Sequence, residues 1–303
     1  MASAPPHRAG FVALIGRSNV GKSTLLNRLV GEKLAIVSPR PQTTRARITG
    51  IKTLAAAQVV LVDTPGLHEP QGGLSQFMVR TARRALEEVD LVCLVAEATE
   101  EPARLDEGLF KALSGVRGPA FCCLNKVDLV APKERVLPLI DAYQARHPFK
   151  EILPLSAVDG TNCERLLELI VSVLPEHPPY FPPDSLTTQP ETFFVAEVIR
   201  EKLFLLTREE VPYACAVRVE QLDERPGRSL LDIRARIFVE QDSQKAIVIG
   251  KEGSMLKRIG SAARAELQCF FGIQVFLELR VEVRKNWRKD ERSLREFGFM
   301  LTS

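Results

Sequence analysis

The chain contains 303 residues, 45% of them hydrophobic, and carries a formal net charge of +3. This length and composition indicate a globular protein with room for two domains, each with its own core. The opening residues lack the apolar run of a secretory signal, and no stretch of about 18 apolar residues could span a bilayer, so we expect a cytoplasmic protein. The six cysteines form no CxxC pair, which argues against a zinc site or a disulfide framework.

A glycine-rich loop follows the first apolar run, at the sequence GRSNVGKST. Its spacing matches GxxxxGK[ST], the pattern of a phosphate-binding loop before a helix. Lys22 would reach the outer phosphates, the Ser23 hydroxyl would ligate Mg²⁺, and the helix N-terminus would attract the same phosphates. We therefore predict that nucleotide is bound by the whole loop: Gly16, Arg17, Ser18, Asn19, Val20, Gly21, Lys22, Ser23 and Thr24.

The next segment, residues 38–47, contains two prolines and shows neither helical nor strand periodicity. Two adjacent threonines lie within it. This composition predicts a mobile switch loop in which Thr44, or less favourably Thr43, completes the Mg²⁺ shell when a γ-phosphate is present.

A short buried strand at residues 59–62 ends in Asp63, Thr64, Pro65 and Gly66. We expect Asp63 to support the Mg²⁺ site from behind, and the Gly66 backbone N–H to donate to the γ-phosphate. Leu67 follows, at the position where Ras-type GTPases carry a glutamine that orients the attacking water. An apolar side chain cannot perform that role. The three predicted catalytic groups are accordingly Lys22, Thr44 and Gly66.

Further strand–helix units are predicted with strands at residues 89–96, 120–124 and 152–155, and helices near 104–114, 133–146 and 163–174. Asn125, Lys126 and Asp128 follow the second of these strands. Asp128 would accept from the two N–H donors of guanine that adenine lacks, Asn125 would bond the purine N7, and the Lys126 stem would cover the ring. After the third strand, the backbone of Ser156, Ala157 and Val158 would meet the guanine O6.

All of these groups follow strands, and open α/β sheets bind ligands at the carboxyl ends of their strands. The sequence therefore predicts an α/β GTPase domain over residues 1–177, a mostly parallel sheet with helices on both faces. A small-molecule kinase would use the same phosphate loop, but the guanine-selecting residues disfavour it.

A proline-rich linker is predicted over residues 178–192, because proline disfavours both helix and sheet interior. Beyond it, a helix begins near Val195, and three alternating runs predict strands at 213–219, 231–239 and 275–283. Two helical stretches lie between the last two strands, interrupted by a GxxG turn. This order is that of a type II KH domain, an α+β RNA-binding module, over residues 193–303.

In a KH domain the GxxG turn lies against the sugar–phosphate backbone of about four nucleotides. Glu252 lies inside this turn and would repel RNA unless it points away, so we expect Lys251 and the following helix to supply most of the attraction. The basic segment 284–295 contains Trp287, for which a place in the core is at least as well supported as RNA contact. The predicted RNA-binding residues are Ile249, Gly250, Lys251, Glu252, Gly253, Lys257 and Arg258.

The whole chain resembles the Era family of bacterial ribosome-assembly GTPases. The motifs that carry the resemblance are GRSNVGKS, PQTTR, DTPGLH, NKVD, Ser156-Ala157, EVIREKL, VPY, IGKEG and the terminal W-x-x-D with Leu294 and Gly298. The resemblance implies a slow GTPase that uses Mg²⁺, binds the 3′ end of 16S rRNA through its KH domain, and assists 30S subunit maturation, acting as a monomer. Family members are also said to associate peripherally with the inner face of the cell membrane, although no basic amphipathic helix stands out here.

Asn19 and Leu67 also resemble the corresponding residues of potassium-assisted GTPases, in which K⁺ takes the place of an arginine finger. By that resemblance Asn19 is a candidate K⁺ ligand. The alternative to a hydrolysing switch is a nucleotide-sensing RNA chaperone with negligible hydrolysis, which the missing glutamine motivates.

Overall fold

The computed structural model describes residues 6–66, 73–101, 105, 107–116, 118–227 and 229–299. Its contacts divide the chain into two units, and the division does not follow chain order. Unit 1 comprises Met1–Ala35, Thr44–Pro70 and Met78–Thr188, whereas unit 2 comprises Ile36–Thr43, Gln71–Phe77 and Gln189–Ser303. Within the described residues, no helix is long and apolar enough to cross a membrane.

Six strands form the sheet of unit 1: β1 (Arg8–Ile15), β2 (Ile48–Thr53), β3 (Ala57–Asp63), β4 (Leu91–Glu97), β5 (Ala120–Asn125) and β6 (Glu151–Pro154). Their order is β2-β3-β1-β4-β5-β6. β2 runs antiparallel to β3, and the other pairs are parallel. The mostly parallel sheet is thus confirmed. The sequence does not predict β2, because its first four residues are all buried and it lacks the alternation of a half-buried strand.

The helices of unit 1 are α1 (Lys22–Val30), α2 (Gly73–Glu87), of which residues 73–77 fall in unit 2, α3 (Glu107–Leu113), α4 (Leu137–Arg146) and α5 (Cys163–Val173). α1 begins after Gly21 and ends at Gly31, and both glycines adopt left-handed φ values, 97° and 95°. The helix predicted near 133–146 begins as a 3₁₀ turn over Lys133–Val136. A core cluster packs β1, β4 and β5 against α3 and α4.

Unit 2 contains α6 (Glu191–Leu206), α7 (Val211–Ala214), β7 (Ala216–Glu224), β8 (Leu230–Val239), α8 (Asp242–Ile249), α9 (Ser254–Phe271), β9 (Gln274–Val283) and α10 (Glu291–Glu296). The sheet order is β7-β8-β9, with β8 antiparallel to β7 and parallel to β9. The predicted KH element order is therefore present. The prediction that the first strand begins at Tyr213 is wrong: Pro212 occupies the first turn of α7, where proline is favoured, and the strand starts after Cys215.

Trp287 is a core residue of unit 2. Its side chain is 0% exposed, and its indole Nε1 donates a hydrogen bond of 2.7 Å to Ala214 O. The ring also packs against Phe297 and Phe299, at centroid distances of 5.3 and 6.0 Å. The apolar body and the single N–H of this tryptophan are both used inside the fold.

The proline-rich segment has no helix or strand over residues 178–190, as its composition predicts, and residues 178–188 belong to unit 1. Gln58, fully buried on β3, holds the segment through its amide. Its Oε1 accepts from Tyr180 N (2.8 Å) and Phe181 N (3.0 Å), and its Nε2 donates to Phe181 O (2.9 Å). Further along, Thr187 Oγ1 donates to Thr49 O on β2 (2.6 Å). The segment is thus attached to unit 1 by hydrogen bonds as well as stiffened by proline.

We predict that Gln58→Leu will release this segment from β3. The substitution leaves two backbone N–H groups and one carbonyl without their partner, a loss of about 1–3 kcal/mol of stability. Faster limited proteolysis between residues 178 and 190, together with a lower urea midpoint, would be the expected result. Gln58→Glu buries a carboxylate against Phe181 O and should be at least as destabilising as Gln58→Leu. Unchanged proteolysis in Gln58→Leu would contradict the assignment.

Candidate nucleotide and RNA sites

The phosphate-binding loop is built from glycines that no other residue could replace. At Gly16 (φ 148°) a Cβ would collide with Val95 O, and at Gly21 (φ 97°) it would collide with the Asn125 side chain. Lys22 is 6% exposed, and its Nζ donates to the carbonyls of Gly16 (3.1 Å) and Arg17 (2.7 Å). Burial lowers the pKa of Lys22 to about 8, against the opposing effect of Asp63. A buried ammonium bonded to neutral carbonyls is suited to bind an anion.

The predicted Mg²⁺ ligands Ser23 and Thr44 lie together with Asp63. The hydroxyl oxygens of the first two are 2.8 Å apart, and both donate to Asp63 Oδ2, at 2.6 and 3.3 Å. Asp63 is fully buried, and its other oxygen, Oδ1, has no hydrogen-bond partner among the described residues. Burial raises the pKa of Asp63, which Lys22 and the two hydroxyls oppose. Three hard oxygen donors beside an unsatisfied carboxylate oxygen fit a Mg²⁺ ion.

The structure also distinguishes the two threonines of the switch segment. Thr43 Oγ1 donates to Arg40 O (2.8 Å) instead of joining the oxygen cluster. Thr44, rather than Thr43, therefore joins the oxygen cluster that fits Mg²⁺.

The turn after β3 approaches the phosphate loop closely. A Cβ on Gly66 would lie 2.6 Å from Ser18 Oγ and 2.7 Å from Ser18 N, so only glycine fits. Thr64 is fully buried and its hydroxyl donates to Leu14 O (2.9 Å), which ties this turn to β1. Pro65 is buried beside it. Leu67 and His68 lie outside the described residues.

The residues predicted to select guanine lie at the same edge of the sheet, and Asn125 makes two contacts that the sequence analysis did not predict. Its Nδ2 donates to Val20 O (2.8 Å) in the phosphate loop, and its Oδ1 accepts from Ala157 N (2.9 Å). Asn125 thus joins the phosphate loop to the loop of Ser156, Ala157 and Val158, called the guanine loop below. The Ala157 N–H, which the sequence analysis predicts near the guanine O6, donates to Asn125. The spacing of the motifs gives no signal of this bridge, because both partners of Asn125 are distant in sequence.

The other groups at this end differ in exposure. Asp128 is exposed, as is Val158 at 67%, and Ser156 is buried. Lys126 has a φ of 67° and pairs its ammonium with Glu97. Asn19 also has a left-handed φ, 67°.

Arg28 makes contacts beside the predicted guanine-binding residues that the sequence did not indicate. It lies in the last turn of α1, and its Nε donates to Ala157 O (3.1 Å) while its Nη2 donates to Val158 O. The helix that begins at the phosphate loop therefore also supports the guanine loop. No local signal marks this role, since an arginine near a helix C-terminus is ordinarily explained by the helix dipole.

The GxxG turn connects α8 to α9 in unit 2. Gly250 (φ 74°) has no room for a side chain, because a Cβ would lie 2.8 Å from Met255 N, whereas a Cβ on Gly253 (φ 76°) would meet nothing within 4 Å. Open space beside Gly253 at the N-terminus of α9 suits the close approach of a phosphate. Lys251, Glu252, Lys257 and Arg258 are all exposed, and Ile249 is half-buried.

Comparison with known proteins finds a matching family model in each of the two units. A family model described as "50S ribosome-binding GTPase" matches residues 11–126, and a KH domain model matches residues 210–288. GTPase Era of Geobacter metallireducens is 52% identical over 294 residues, which cover 97% of this chain and 98% of the relative. The chain belongs to the Era GTPase family. A second Era protein, from Caldanaerobacter subterraneus, is 49% identical over 97% of this chain and 99% of its own length.

Two solved Era structures share the fold over 97% of this chain and 100% of their own, each with a TM-score of 0.94. One, 40% identical, is Era in complex with MgGDPNP and nucleotides 1506–1542 of 16S ribosomal RNA. The other, 41% identical, is a variant of Aquifex aeolicus Era bound to GDP·AlF4⁻. The Era fold resemblance inferred from the motifs is therefore confirmed.

We predict that Thr44→Ala will lower the Mg²⁺-dependent affinity for the non-hydrolysable analogue GDPNP by about tenfold, the cost of one hydrogen-bonding oxygen at a charged site. The affinity for GDP should change by less than about twofold, since Thr44 ligates the metal only when a γ-phosphate is present. Titration with a fluorescent nucleotide would measure both constants.

Thr43→Ala is the matched control, since its hydroxyl bonds Arg40 O, and it should leave both affinities within about twofold of the original. Equal losses in the two variants would contradict the assignment of Thr44.

Proposed function

We propose that the protein is a slow GTPase that binds the 3′ end of 16S rRNA through its KH domain and assists maturation of the 30S subunit. The observation that carries the proposal is the cluster of Ser23, Thr44 and Asp63 beside the phosphate loop, in a chain whose C-terminal unit has a GxxG turn. The proposed domain limits are 1–177 for the GTPase domain, 178–192 for the linker and 193–303 for the KH domain.

The chain's own groups support hydrolysis in defined ways. Lys22 supplies a buried positive charge for the phosphoryl oxygens, and the Gly66 backbone lies against the phosphate loop where it would donate to the γ-phosphate. When bound, Mg²⁺ would neutralise charge on the β- and γ-phosphates. Ser23 and Thr44 would hold that ion, and Asp63 would accept hydrogen bonds from behind. Backbone groups would position the attacking water, because Leu67 cannot.

The structure of the relative bound to 16S rRNA nucleotides supports the RNA part of the proposal. In this chain, Lys251, Lys257 and Arg258 would attract the phosphates, and the open side of Gly253 would admit the backbone. Exposed Glu252 would weaken that attraction. A monomer in the cytoplasm is the proposed state, with peripheral membrane association as the alternative location.

Negligible hydrolysis, the alternative considered from sequence, is disfavoured. Relatives at about 50% identity over nearly the full chain carry the name GTPase. The nucleotide site described above also contains the charged and metal-binding groups that phosphoryl transfer needs.

We expect binding of a single-stranded RNA that copies the 3′ end of 16S rRNA to be at least about tenfold tighter with GDPNP than with GDP, if the two activities are coupled. Fluorescence anisotropy at fixed salt would measure both affinities. Equal binding in the two nucleotide states would leave two unlinked activities and overturn the switch.

The double variant Lys251→Ala/Lys257→Ala tests the RNA contact separately from the effect of the nucleotide on RNA affinity. It should weaken RNA binding in both nucleotide states and reduce the slope of log affinity against log salt by about 1–2 units.

The potassium hypothesis has its own test. If Asn19 ligates K⁺, phosphate release should be at least about tenfold faster in K⁺ than in Na⁺ buffer, the size of one electrostatic contribution to the transition state. Asn19→Gly should abolish the difference, because glycine accepts the φ of 67° and removes only the amide. Equal rates in the two salts would show that Asn19 has no such role.

A further inference from the structure

The switch segment is held at both ends by one helix of unit 2. Residues Ile36–Thr43 belong to unit 2 by their contacts. Near the start of this segment, Val37 N donates to Glu201 Oε1 (3.1 Å), and at its end Thr43 O accepts from Arg200 Nη2 (2.6 Å). Both side chains come from consecutive positions of α6. Since the two bonds are made to backbone atoms, they fix the course of the chain and are independent of the segment's side chains.

Arg200 is itself fixed in place. It is 2% exposed and forms a two-bond fork with Glu197, with Nε to Oε1 at 2.7 Å and Nη2 to Oε2 at 2.5 Å. Its guanidinium lies over the Phe204 ring, 5.3 Å from the centroid. This planar, bidentate arrangement leaves the guanidinium little freedom, so the position of Thr43 O is defined by α6.

Stability alone does not account for this buried ion pair. Desolvation of two charges offsets most of their attraction, and apolar residues of similar volume are often equally stable. One guanidinium nitrogen, Nη1, is buried and has no hydrogen-bond partner within the described residues, which adds a further cost. The arrangement is better explained by the carbonyl that it holds.

The next residue in the chain is Thr44, whose hydroxyl lies 2.8 Å from Ser23 Oγ in the magnesium site of unit 1. A single peptide bond therefore separates a carbonyl held by α6 from a hydroxyl of the metal site. Consecutive Cα atoms are about 3.8 Å apart and the peptide plane is rigid, so a movement of Thr43 must move Thr44 as well.

We propose that Arg200 and Glu201 are positioning residues for the magnesium site: they hold segment 36–43 so that Thr44 can reach the metal. This inference rests on the proposed GTPase function. α6 also packs against α9, the helix that begins at the GxxG turn, and Lys202 pairs with Glu266 between these two helices. Because linkage is reciprocal, nucleotide that recruits Thr44 stabilises the contacts of segment 36–43 with α6, and RNA that favours the same contacts strengthens GTP binding.

The test measures the affinities of the full chain for magnesium GDPNP and magnesium GDP. Two variants release the segment: Arg200→Met combined with Glu197→Gln, which leaves no buried unpaired charge, and Glu201→Ala. Each should weaken GDPNP binding by about tenfold and change GDP binding by less than about twofold. Glu201→Gln retains an oxygen that accepts from Val37 N and should restore most of the loss. Arg264→Met, at an exposed position of α9, is the control for loss of an arginine.

The variants are also combined with Thr44→Ala. If Arg200 and Glu201 act through Thr44, their substitution should add no further loss of GDPNP affinity in that background. Additive losses, or an unchanged ratio of GDPNP to GDP affinity, would overturn the inference. Thermal unfolding identifies any variant that fails to fold, and the nucleotide affinities of the other variant then test the inference. If neither the original chain nor Arg264→Met binds magnesium GDPNP, the proposed function itself is wrong.

Discussion

The nucleotide site depends on one buried carboxylate, Asp63, of which only one oxygen finds a partner within the described residues. An ionised carboxylate in this position is unstable without compensating charge, and Lys22 provides part of it from the phosphate loop. The two buried, opposite charges lie at the first residue of α1 and the last residue of β3, and the parallel pairing of β1 with β3 brings these ends together. The sheet therefore holds Lys22 and Asp63 near each other, and bound magnesium and a polyphosphate would supply the remaining charges of the site.

The two units share a local arrangement that suits phosphate binding. In each, a loop with two glycines precedes a helix, α1 in unit 1 and α9 in unit 2, and the glycine before each helix has a left-handed φ. Neither helix has an acidic residue in its first turn, so the positive end of each dipole is not neutralised. The loops differ in enclosure. Lys22 is buried at the first loop, while Lys251 is exposed at the second, which suits a compact nucleotide and an extended polymer respectively.

Most of the fold could be predicted from the sequence, since strand ends, glycine loops and helix periods are local signals. The sequence also predicts Thr44 and Asp63 as a pair for Mg²⁺, because a hydroxyl in an aperiodic loop and a carboxylate after a buried strand offer the hard oxygens that Mg²⁺ prefers, and the structure brings the two side chains together. The sequence does not reveal β2, whose buried run lacks alternation, or the support given by Arg28, whose partners lie about 130 residues away. Nor does it reveal that Asn125, which is predicted to bond the purine, also bridges two loops. Each missed feature depends on tertiary neighbours that no sequence window contains.

Trp287 has a further consequence for how this molecule can be studied. It is the only tryptophan of the chain, it lies in unit 2, and it is wholly shielded from water. Its emission therefore reports the integrity of the RNA-binding half alone, without any label. Circular dichroism reports the whole chain, so the difference between the two signals isolates the melting of the nucleotide-binding half. The stabilities of the two halves of this protein can thus be measured separately on one sample.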